Sequence, residues 1–197
     1  MHAPVVVKVG GSLIDVVPAI VTELVRSAGR VLVVPGGGPF ADLVRSLNVE
    51  DDDAAHWMAI AAMEQYGWYI AAHGLATTDQ ALVPQSPAVF LPCRLMHDRD
   101  PLPHSWDVTS DTIGAYVAKE LGVELVLLKS IDGCTCGGKL LERIDEPVAC
   151  DEVDPMLIRF VLGNRVRTTV LNGRRRGLLA TYLDGRPCRG TIIEPQF

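Results

Sequence analysis

No apolar run in the sequence approaches the roughly 20 residues that a membrane-spanning helix needs. The apolar segment that begins at Val5 is interrupted by Lys8, Gly10 and Gly11, so it predicts neither an anchor nor a secretory signal. Positive charge is also scarce, because 18 lysines and arginines are set against 24 acidic residues for a net charge of -6. No basic stripe of the kind that binds nucleic acid is present. These absences predict a cytoplasmic protein with no membrane or nucleic-acid partner.

Cysteines are few and irregularly spaced, which argues against a disulfide scaffold. There are 5 of them, and an odd number fits a reduced, cytoplasmic protein. Cys134 and Cys136 form the only close pair, and no second Cys/His pair with zinc-finger spacing follows. We therefore expect ordinary loop cysteines and no metal ligands.

Two common nucleotide-binding motifs are missing as well. GxGxxG does not occur, which argues against a dinucleotide-binding fold, and Lys8 lies two residues before its glycine loop, whereas the lysine of a Walker A motif directly follows the last glycine. The one dense basic cluster is Arg174, Arg175 and Arg176. Arginines bordered by glycines could bind a phosphate, but a solvated loop is the more common case.

The remaining pattern is that of a globular α/β protein. Of the 197 residues, 48% are hydrophobic, and no repeat or linker divides them, so we predict a single domain over 1–197. A strand over 5–9, a helix over 17–28 and a strand over 31–34 form a βαβ unit, which predicts a parallel sheet. Further helices are predicted over 40–47, 52–72, 113–121, 155–162 and 177–183, further strands over 89–91, 125–128, 168–171 and 191–193, and loops over 98–104 and 132–138.

The helix predicted over 52–72 is apolar around most of its circumference. Such a helix should be covered on both sides. A second copy of the chain could supply one cover, so we expect a homo-oligomer.

Glycine-rich loops follow three of the predicted strands, at the edge where an open parallel sheet binds its ligands. They are Gly10-Gly11-Ser12, Gly36-Gly37-Gly38 and Ile131-Asp132-Gly133. Glycine lets backbone N–H groups approach an anion, and the following helix contributes its positive N-terminal end. The first two loops directly follow buried strands, which favours phosphate-sized ligands, although tight strand-to-helix turns are the alternative.

Two lysines lie at the ends of predicted buried strands. Lys8 is inside an apolar strand and needs a partner, because burying an unpaired charge is costly. Lys129 ends another strand next to a glycine loop, where a solvated surface lysine is the alternative. Two strand-end cations suit phosphoryl transfer, which depends on positioning and charge neutralisation. Asp111 could hold both lysines or simply favour a helix start, and Thr109 and Ser110 could cap that helix or donate to a phosphate.

Taken together, these residues resemble the amino acid kinase family. The resemblance rests on Lys8-Val9-Gly10-Gly11-Ser12, Gly36-Gly37-Gly38, Asp111, Lys129-Ser130-Ile131-Asp132-Gly133, Asn172-Gly173 and Gly190-Thr191, in the family's order along the chain. It implies an α/β fold, a three-layer αβα sandwich with a mostly parallel central sheet. It also implies an ATP-dependent phosphotransferase that uses Mg²⁺ and acts on a small phosphorylated acceptor.

The resemblance also implies roles for individual residues. The catalytic residues would be Lys8, Asp111 and Lys129. The nucleotide and the transferring phosphoryl group would contact Lys8, Gly10, Gly11, Ser12, Ser130, Asp132, Gly133 and Asn172. The acceptor would contact Gly36, Gly37, Gly38, Asp53, His56, Asp107, Thr109 and Ser110, with a purely structural role as the alternative for His56.

Two segments, DDAAHWMA at 52–59 and DPLPHSWDVTSD at 100–111, are similar to one branch of the family. That branch phosphorylates [5-(aminomethyl)furan-3-yl]methyl phosphate to its diphosphate in methanofuran biosynthesis. An acceptor with a primary ammonium needs a carboxylate, for which we expect Asp53, with Asp107 behind it. The sequence departs from the family in lacking a late Gly-Met-x-x-Lys segment. Lys129 or an arginine is therefore expected to replace that second catalytic lysine, unless the adenine site is shallower than usual.

Two other functions are compatible with the resemblance. One is a kinase of another phosphorylated acceptor, such as isopentenyl phosphate, whose apolar tail would not need the acidic residues at 51–53. The other is a non-catalytic binder, because molybdenum storage proteins also resemble the family. Retention of Lys8, Asp111 and the glycine loops favours catalysis.

Overall fold

An eight-stranded sheet forms the centre of the protein, and helices pack on both of its faces. The computed structural model describes residues 3–27 and 29–196. The strands are β1 Val5–Val9, β2 Val31–Pro35, β3 Ala76–Thr78, β4 Ala88–Phe90, β5 Glu124–Lys129, β6 Thr135–Cys136, β7 Lys139–Leu140, β8 Arg143–Ile144, β9 Thr168–Asn172 and β10 Thr191–Ile193. The helices are α1 Val17–Ser27, α2 Gly38–Ser46, α3 Asp52–Ala71, α4 Cys93–Arg99, α5 Ser110–Leu121, α6 Leu157–Asn164 and α7 Leu178–Leu183.

The strand order is β3-β4-β2-β1-β5-β9-β10-β8. Every neighbouring pair is parallel except β9 and β10. The apolar runs in β1 and β2 are buried along their whole length, as expected for central strands of a covered parallel sheet. The predicted three-layer αβα fold with a mostly parallel sheet is therefore confirmed.

Strand alternation separates the core into two apolar clusters. Val5, Val7 and Val9 of β1 pack with residues of α1 and α7. Val6 packs with residues of α5 and α6 on the opposite face. Because side chains alternate along a strand, Lys8 lies on the same face as Val6.

The helix predicted over 17–28 begins at Val17 and extends to Ser27, while Ala28 lies outside the described residues. A 3-10 helix over Gly11–Val16 precedes it. The predicted loop over 98–104 is partly wrong, because α4 extends through Arg99. Cys93 N–H at the start of α4 donates to Glu64 Oε2 of α3 at 3.0 Å. This capping group is distant in sequence, so no local pattern could reveal it.

The predicted loop over 132–138 contains a hairpin strand. β6 pairs with β7 across Gly137 and Gly138, whose φ angles of 55° and 77° suit a two-residue hairpin turn. The edge strands β3 and β8 were not predicted, because segments of 3 and 2 residues carry too little alternation.

Among the described helices, none is long and apolar enough to cross a membrane.

Candidate active site

A buried carboxylate joins the two strand-end lysines. Lys8 Nζ donates a hydrogen bond to Asp111 Oδ1 at 2.7 Å, and Lys129 Nζ lies 2.6 Å from Asp111 Oδ2. The side chains of Lys8 and Asp111 are 5% and 3% exposed, and that of Lys129 is 19% exposed. Lys129 Nζ also donates to the backbone carbonyl of Glu152 at 2.6 Å. The structure therefore brings together the three residues that the resemblance implies are catalytic.

Strand register and the packing of a helix explain how these side chains meet. Lys8 is opposite Leu127 in the β1–β5 pair, so Lys129, two positions further along β5, lies on the same face of the sheet. Helix α5 covers this face, and its Gly114 packs next to Lys8, where an added Cβ would be in ordinary van der Waals contact with Lys8 Cβ at 3.4 Å. Asp111 is in the first turn of α5, where the helix dipole favours a negative charge.

Burial and charge pairing act against each other in this cluster. Burial lowers the pKa of Lys8, and the attraction of Asp111 offsets only part of that effect. Burial alone would raise the pKa of Asp111, but the ammonium groups of Lys8 and Lys129 hold that pKa below its usual range. Asp111 is therefore ionised at neutral pH. Two lysines at one carboxylate make these strand ends suitable for an anionic ligand.

Asp154 is a site residue that the sequence analysis missed. Its carboxylate accepts hydrogen bonds from the N–H and hydroxyl groups of Thr109 and Thr112, at 2.6–3.0 Å. Its own N–H donates to Asp111 Oδ2 at 3.3 Å. Burial, and then the charge of Asp111, raises the pKa of Asp154. Asp154 thus fixes the start of α5. The only feature of the sequence that could have indicated its role is its position just before the helix predicted over 155–162.

The first two glycine loops meet through their backbones. A Cβ on Gly11 would lie 2.5 Å from both the Cα and the N of Gly38. Gly38 has a φ of 57°, which favours glycine. The N–H groups of Gly10 and Gly36 donate to Leu128 O and Val9 O at 2.9 and 2.8 Å. Each loop therefore extends the hydrogen bonding of the sheet before it turns toward its partner loop.

We expect Gly11→Ala to separate these loops, because neither of the contacting groups is a flexible side chain. Overpacking of this kind typically costs about 1–3 kcal/mol of unfolding free energy. Urea unfolding of the variant measures that cost. Gly163→Ala in α6 is the matched control, since no atom lies within 4 Å of its added Cβ. Equal stability of the two variants would contradict a tight contact between the loops.

A cavity of about 410 Å³ opens beside the loops, between α2, α3 and the segment before α5. Its walls are apolar at Ile60, Met63 and Ile113. Its polar or charged lining residues include Ser12, Asp42, Arg45, Asp52, His56, Thr109 and Ser110. The guanidinium of Arg45 lies 4.6 Å from the ring centroid of Trp106, which also lines the cavity. The cavity can therefore hold a small molecule with both apolar and charged parts next to the two glycine loops.

The sequence profile of the amino acid kinase family matches residues 3–86. The [5-(aminomethyl)furan-3-yl]methyl phosphate kinase of Methanocaldococcus jannaschii is 30% identical over an alignment of 205 positions, gaps included, which covers 92% of this chain and 93% of that protein. The chain belongs to the amino acid kinase family.

Solved structures of two kinases have the same fold as this amino acid kinase family member. The UMP kinase of Ureaplasma parvum superposes with a TM-score of 0.76 at 14% identity, covering 98% of this chain and 99% of that chain. The uridylate kinase of Archaeoglobus fulgidus gives a TM-score of 0.71 at 14% identity, covering 96% and 99%. At these identities the likeness concerns the fold alone.

A second ionic cluster surrounds Asp132, in the loop that follows β5. Asn172 Nδ2 and Arg175 Nε donate to Asp132 Oδ1 at 2.7 and 2.8 Å, and Arg189 Nε lies 3.3 Å from Asp132 Oδ2. Ser130 is exposed, while the neighbouring Gly133 is buried against Thr191, whose Oγ1 would lie 2.4 Å from an added Cβ. Asp132 and Asn172 are thus neighbours, as a shared binding site requires.

The arginines of the basic cluster are exposed, as in a solvated loop, and two of them form ion pairs. Arg174 donates to both carboxylate oxygens of Asp15 and to the carbonyl of Ser12, at 2.8–2.9 Å. Arg175 pairs with Asp132. Arg174 therefore connects the segment after β9 to the first glycine loop.

The structure differs from expectation at Asp53. His56 lines the cavity as predicted, but among the described residues of α3 the carboxylate at the cavity wall belongs to Asp52. Asp53 is 76% exposed and its Oδ1 lies 2.6 Å from His104 Nδ1. Successive residues of a helix differ by about 100° in direction, so Asp52 and Asp53 leave the first turn of α3 in different directions. Asp107 and Gly36 are likewise absent from the described lining.

Proposed function

We propose that the protein is a cytoplasmic ATP-dependent kinase that phosphorylates [5-(aminomethyl)furan-3-yl]methyl phosphate to its diphosphate. The observation that carries the proposal is the Lys8–Asp111–Lys129 cluster at the strand ends, beside two glycine loops in contact. The named activity of the M. jannaschii relative supports the choice of acceptor. We also propose that residues 1–197 form one catalytic domain.

In this reaction an oxygen of the acceptor phosphate attacks the terminal phosphorus of ATP. A new P–O bond forms, the bond to the β-phosphate oxygen breaks, and ADP leaves with that electron pair. A phosphate oxygen is already anionic at neutral pH, so no general base is required. The protein must instead hold two anions together, which Lys8, Lys129 and the backbone N–H groups of the glycine loops suit.

Mg²⁺ fits this site as an ion brought by the substrates. Each carboxylate oxygen of Asp111 is paired with the ammonium group of one lysine, and the carboxylate of Asp154 accepts hydrogen bonds from threonines. Neither carboxylate is free to act as a magnesium ligand, so phosphate oxygens would supply the coordination. Bound there, Mg²⁺ neutralises charge on the phosphates.

The chemistry of the cavity lining suits the proposed acceptor. Its furan ring suits the apolar wall, and its phosphate would face Ser12 and Ser110 between the glycine loops. Of the two carboxylates at the wall, Asp42 pairs with Arg45 at 3.2 Å, whereas Asp52 has no ion-pair partner among the described residues. We assign the ammonium group of the acceptor to Asp52, in place of Asp53.

We predict that the wild-type protein uses the aminomethyl acceptor about ten- to a hundredfold better in kcat/KM than an analogue with methyl in that position. A charged hydrogen bond is worth about 1.5–3 kcal/mol, and each 1.4 kcal/mol is about a factor of ten. Asp52→Asn should remove most of this preference, whereas Asp53→Asn is the matched control and should retain it. Parallel assays of both acceptors with the three proteins measure the effect. Loss of preference in the Asp53 variant alone would contradict the role of Asp52.

The activity itself is tested by incubating the protein with ATP, Mg²⁺ and each candidate acceptor, with the diphosphate product detected by phosphorus NMR. We expect turnover of the furan-methyl phosphate. Rapid use of isopentenyl phosphate with no use of the furan would support the alternative kinase. ATP binding without turnover of any acceptor would support a non-catalytic binder.

We further propose that two copies associate through α2 and α3. Leu43 is 62% exposed, Leu47 56% and Trp68 55%, which are high values for large apolar side chains. A second copy would cover them, and light scattering of the purified protein tests this. A monomer at assay concentrations would rule the proposal out.

A further inference from the structure

A histidine–aspartate cluster lies next to the cavity. His56 comes from α3, Asp100 directly follows α4, and His104 lies in the segment that leads to α5. One potential ligand atom from each of the three side chains lies within 4.8 Å of the other two. Asp100 and His104 are four residues apart in one segment, but His56 is distant in sequence, so the group as a whole could not be predicted from local spacing.

His56 contributes an unsatisfied nitrogen. The residue is only 8% exposed, and its Nε2 is buried without a hydrogen-bond partner among the described residues. A buried polar atom left without a partner is destabilising, so such atoms in a folded protein call for an explanation. A bound ion would satisfy this imidazole.

His104 lies between two carboxylates, one at each ring nitrogen. Its Nδ1 lies 2.6 Å from Asp53 Oδ1, and its Nε2 lies 2.8 Å from Asp100 Oδ1. Histidines that bind a metal through one ring nitrogen usually donate the other N–H to a carboxylate, which fixes the tautomer. Asp53 is placed to accept that hydrogen bond. An ion would replace the present contact between Nε2 and Asp100, so that both groups become its ligands.

We propose that His56, His104 and Asp100 bind one divalent transition-metal ion of the Zn²⁺ class, with Asp53 orienting His104. Two imidazoles and one carboxylate are ligands that Zn²⁺ accepts, whereas Mg²⁺ prefers oxygen alone. The two rings now stack with centroids 3.9 Å apart and an angle of 17° between their planes. Binding requires one ring to turn about its Cβ–Cγ bond so that both lone pairs meet, and this torsion is soft. Because His56 lines the cavity, the ion would lie at the cavity wall.

The test is calorimetric titration of zinc chloride into the metal-stripped protein with Mg²⁺ in large excess. We expect one site per chain that Mg²⁺ does not block. His104→Ala should weaken binding at least tenfold, and Asp53→Asn should weaken it about 10- to 100-fold, as loss of an orienting carboxylate typically does. His97→Ala is the matched control. His97 stacks on Trp57 with centroids 3.9 Å apart but is outside the ligand group, so this variant should bind zinc normally.

Variants at exposed positions keep the test decisive. His56 is part of a packed region, so His56→Ala could disturb folding, whereas the Asp100 side chain is 53% exposed. Asp100→Asn should therefore fold and bind zinc at least tenfold more weakly. No zinc binding in the wild type, or unchanged binding in the folded Asp100 and His104 variants, would overturn the proposal. So would loss of binding only in Cys150→Ser, which would place the ion at a thiol. Binding is read without turnover, so the result does not depend on the proposed kinase activity.

Discussion

Replacement of Lys8 by alanine should lower kcat by about a hundred- to a thousandfold, the usual cost of losing one donor that stabilises charge in the transition state. Lys8 lies at a strand end with its ammonium group on Asp111, beside the loops proposed to hold the phosphoryl group. A coupled assay of ADP formation at saturating acceptor measures the effect. The expected loss is in kcat more than in KM, because the charge acts mainly in the transition state.

The matched control is Lys139→Ala, which removes an exposed lysine of β7 and should leave kcat unchanged. Because Lys8 is buried, the folded fraction of its variant must be verified by circular dichroism at the assay temperature. A folded Lys8→Ala protein with near-normal kcat would remove this residue from the mechanism.

Asp111→Asn should produce the largest loss of stability. The substitution leaves the ammonium groups of Lys8 and Lys129 without a carboxylate in a site where the carboxyl side chain is 3% exposed. Breaking a buried ion pair by removing one partner typically costs about 3–5 kcal/mol. Urea unfolding measures this cost. Asp184→Asn breaks the exposed pair with Arg186 and should change stability by about 0–1 kcal/mol.

The same variant has a pH signature. The pKa of Asp111 is lower in the folded protein than its ordinary value, so its stabilising effect is complete above the unfolded-state pKa. That effect is lost as the pH falls through the folded-state pKa. Asp111→Asn should therefore reduce the dependence of stability on pH in the acidic range. An unchanged acid dependence, or a variant as stable as the wild type, would contradict the role given to Asp111.

Much of the sheet and the lysine cluster could be predicted from local patterns. β1 and β2 are mostly apolar runs that lead into glycine loops, so their burial follows from composition, and their parallel direction follows from the helix between them. Lys8 needed a buried partner on simple energetic grounds, and Asp111 is that partner. These predictions succeeded because each depends on a single strand end or helix start.

The remaining features depend on contacts between segments that are distant in the sequence. Glu64 caps α4 from another helix, and Asp154 binds threonines 42 and 45 positions away. The choice between Asp52 and Asp53 required the rotation of α3, which Asp51 sets by accepting hydrogen bonds from the first N–H groups of the helix. No periodicity in the sequence encodes these pairings.

The contact between Gly11 and Gly38 has a consequence for how the sequence can vary. Gly38 is constrained twice, by its φ of 57° and by the Tyr66 ring, which would lie 3.3 Å from an added Cβ. Gly11 in turn is constrained by the Gly38 backbone, which no side-chain exchange can move away. A substitution at either position therefore has no single compensating substitution at the other. Among related kinases we therefore expect neither glycine to be replaced, singly or together. This contact between the loops should be retained even where the residues that select the acceptor differ.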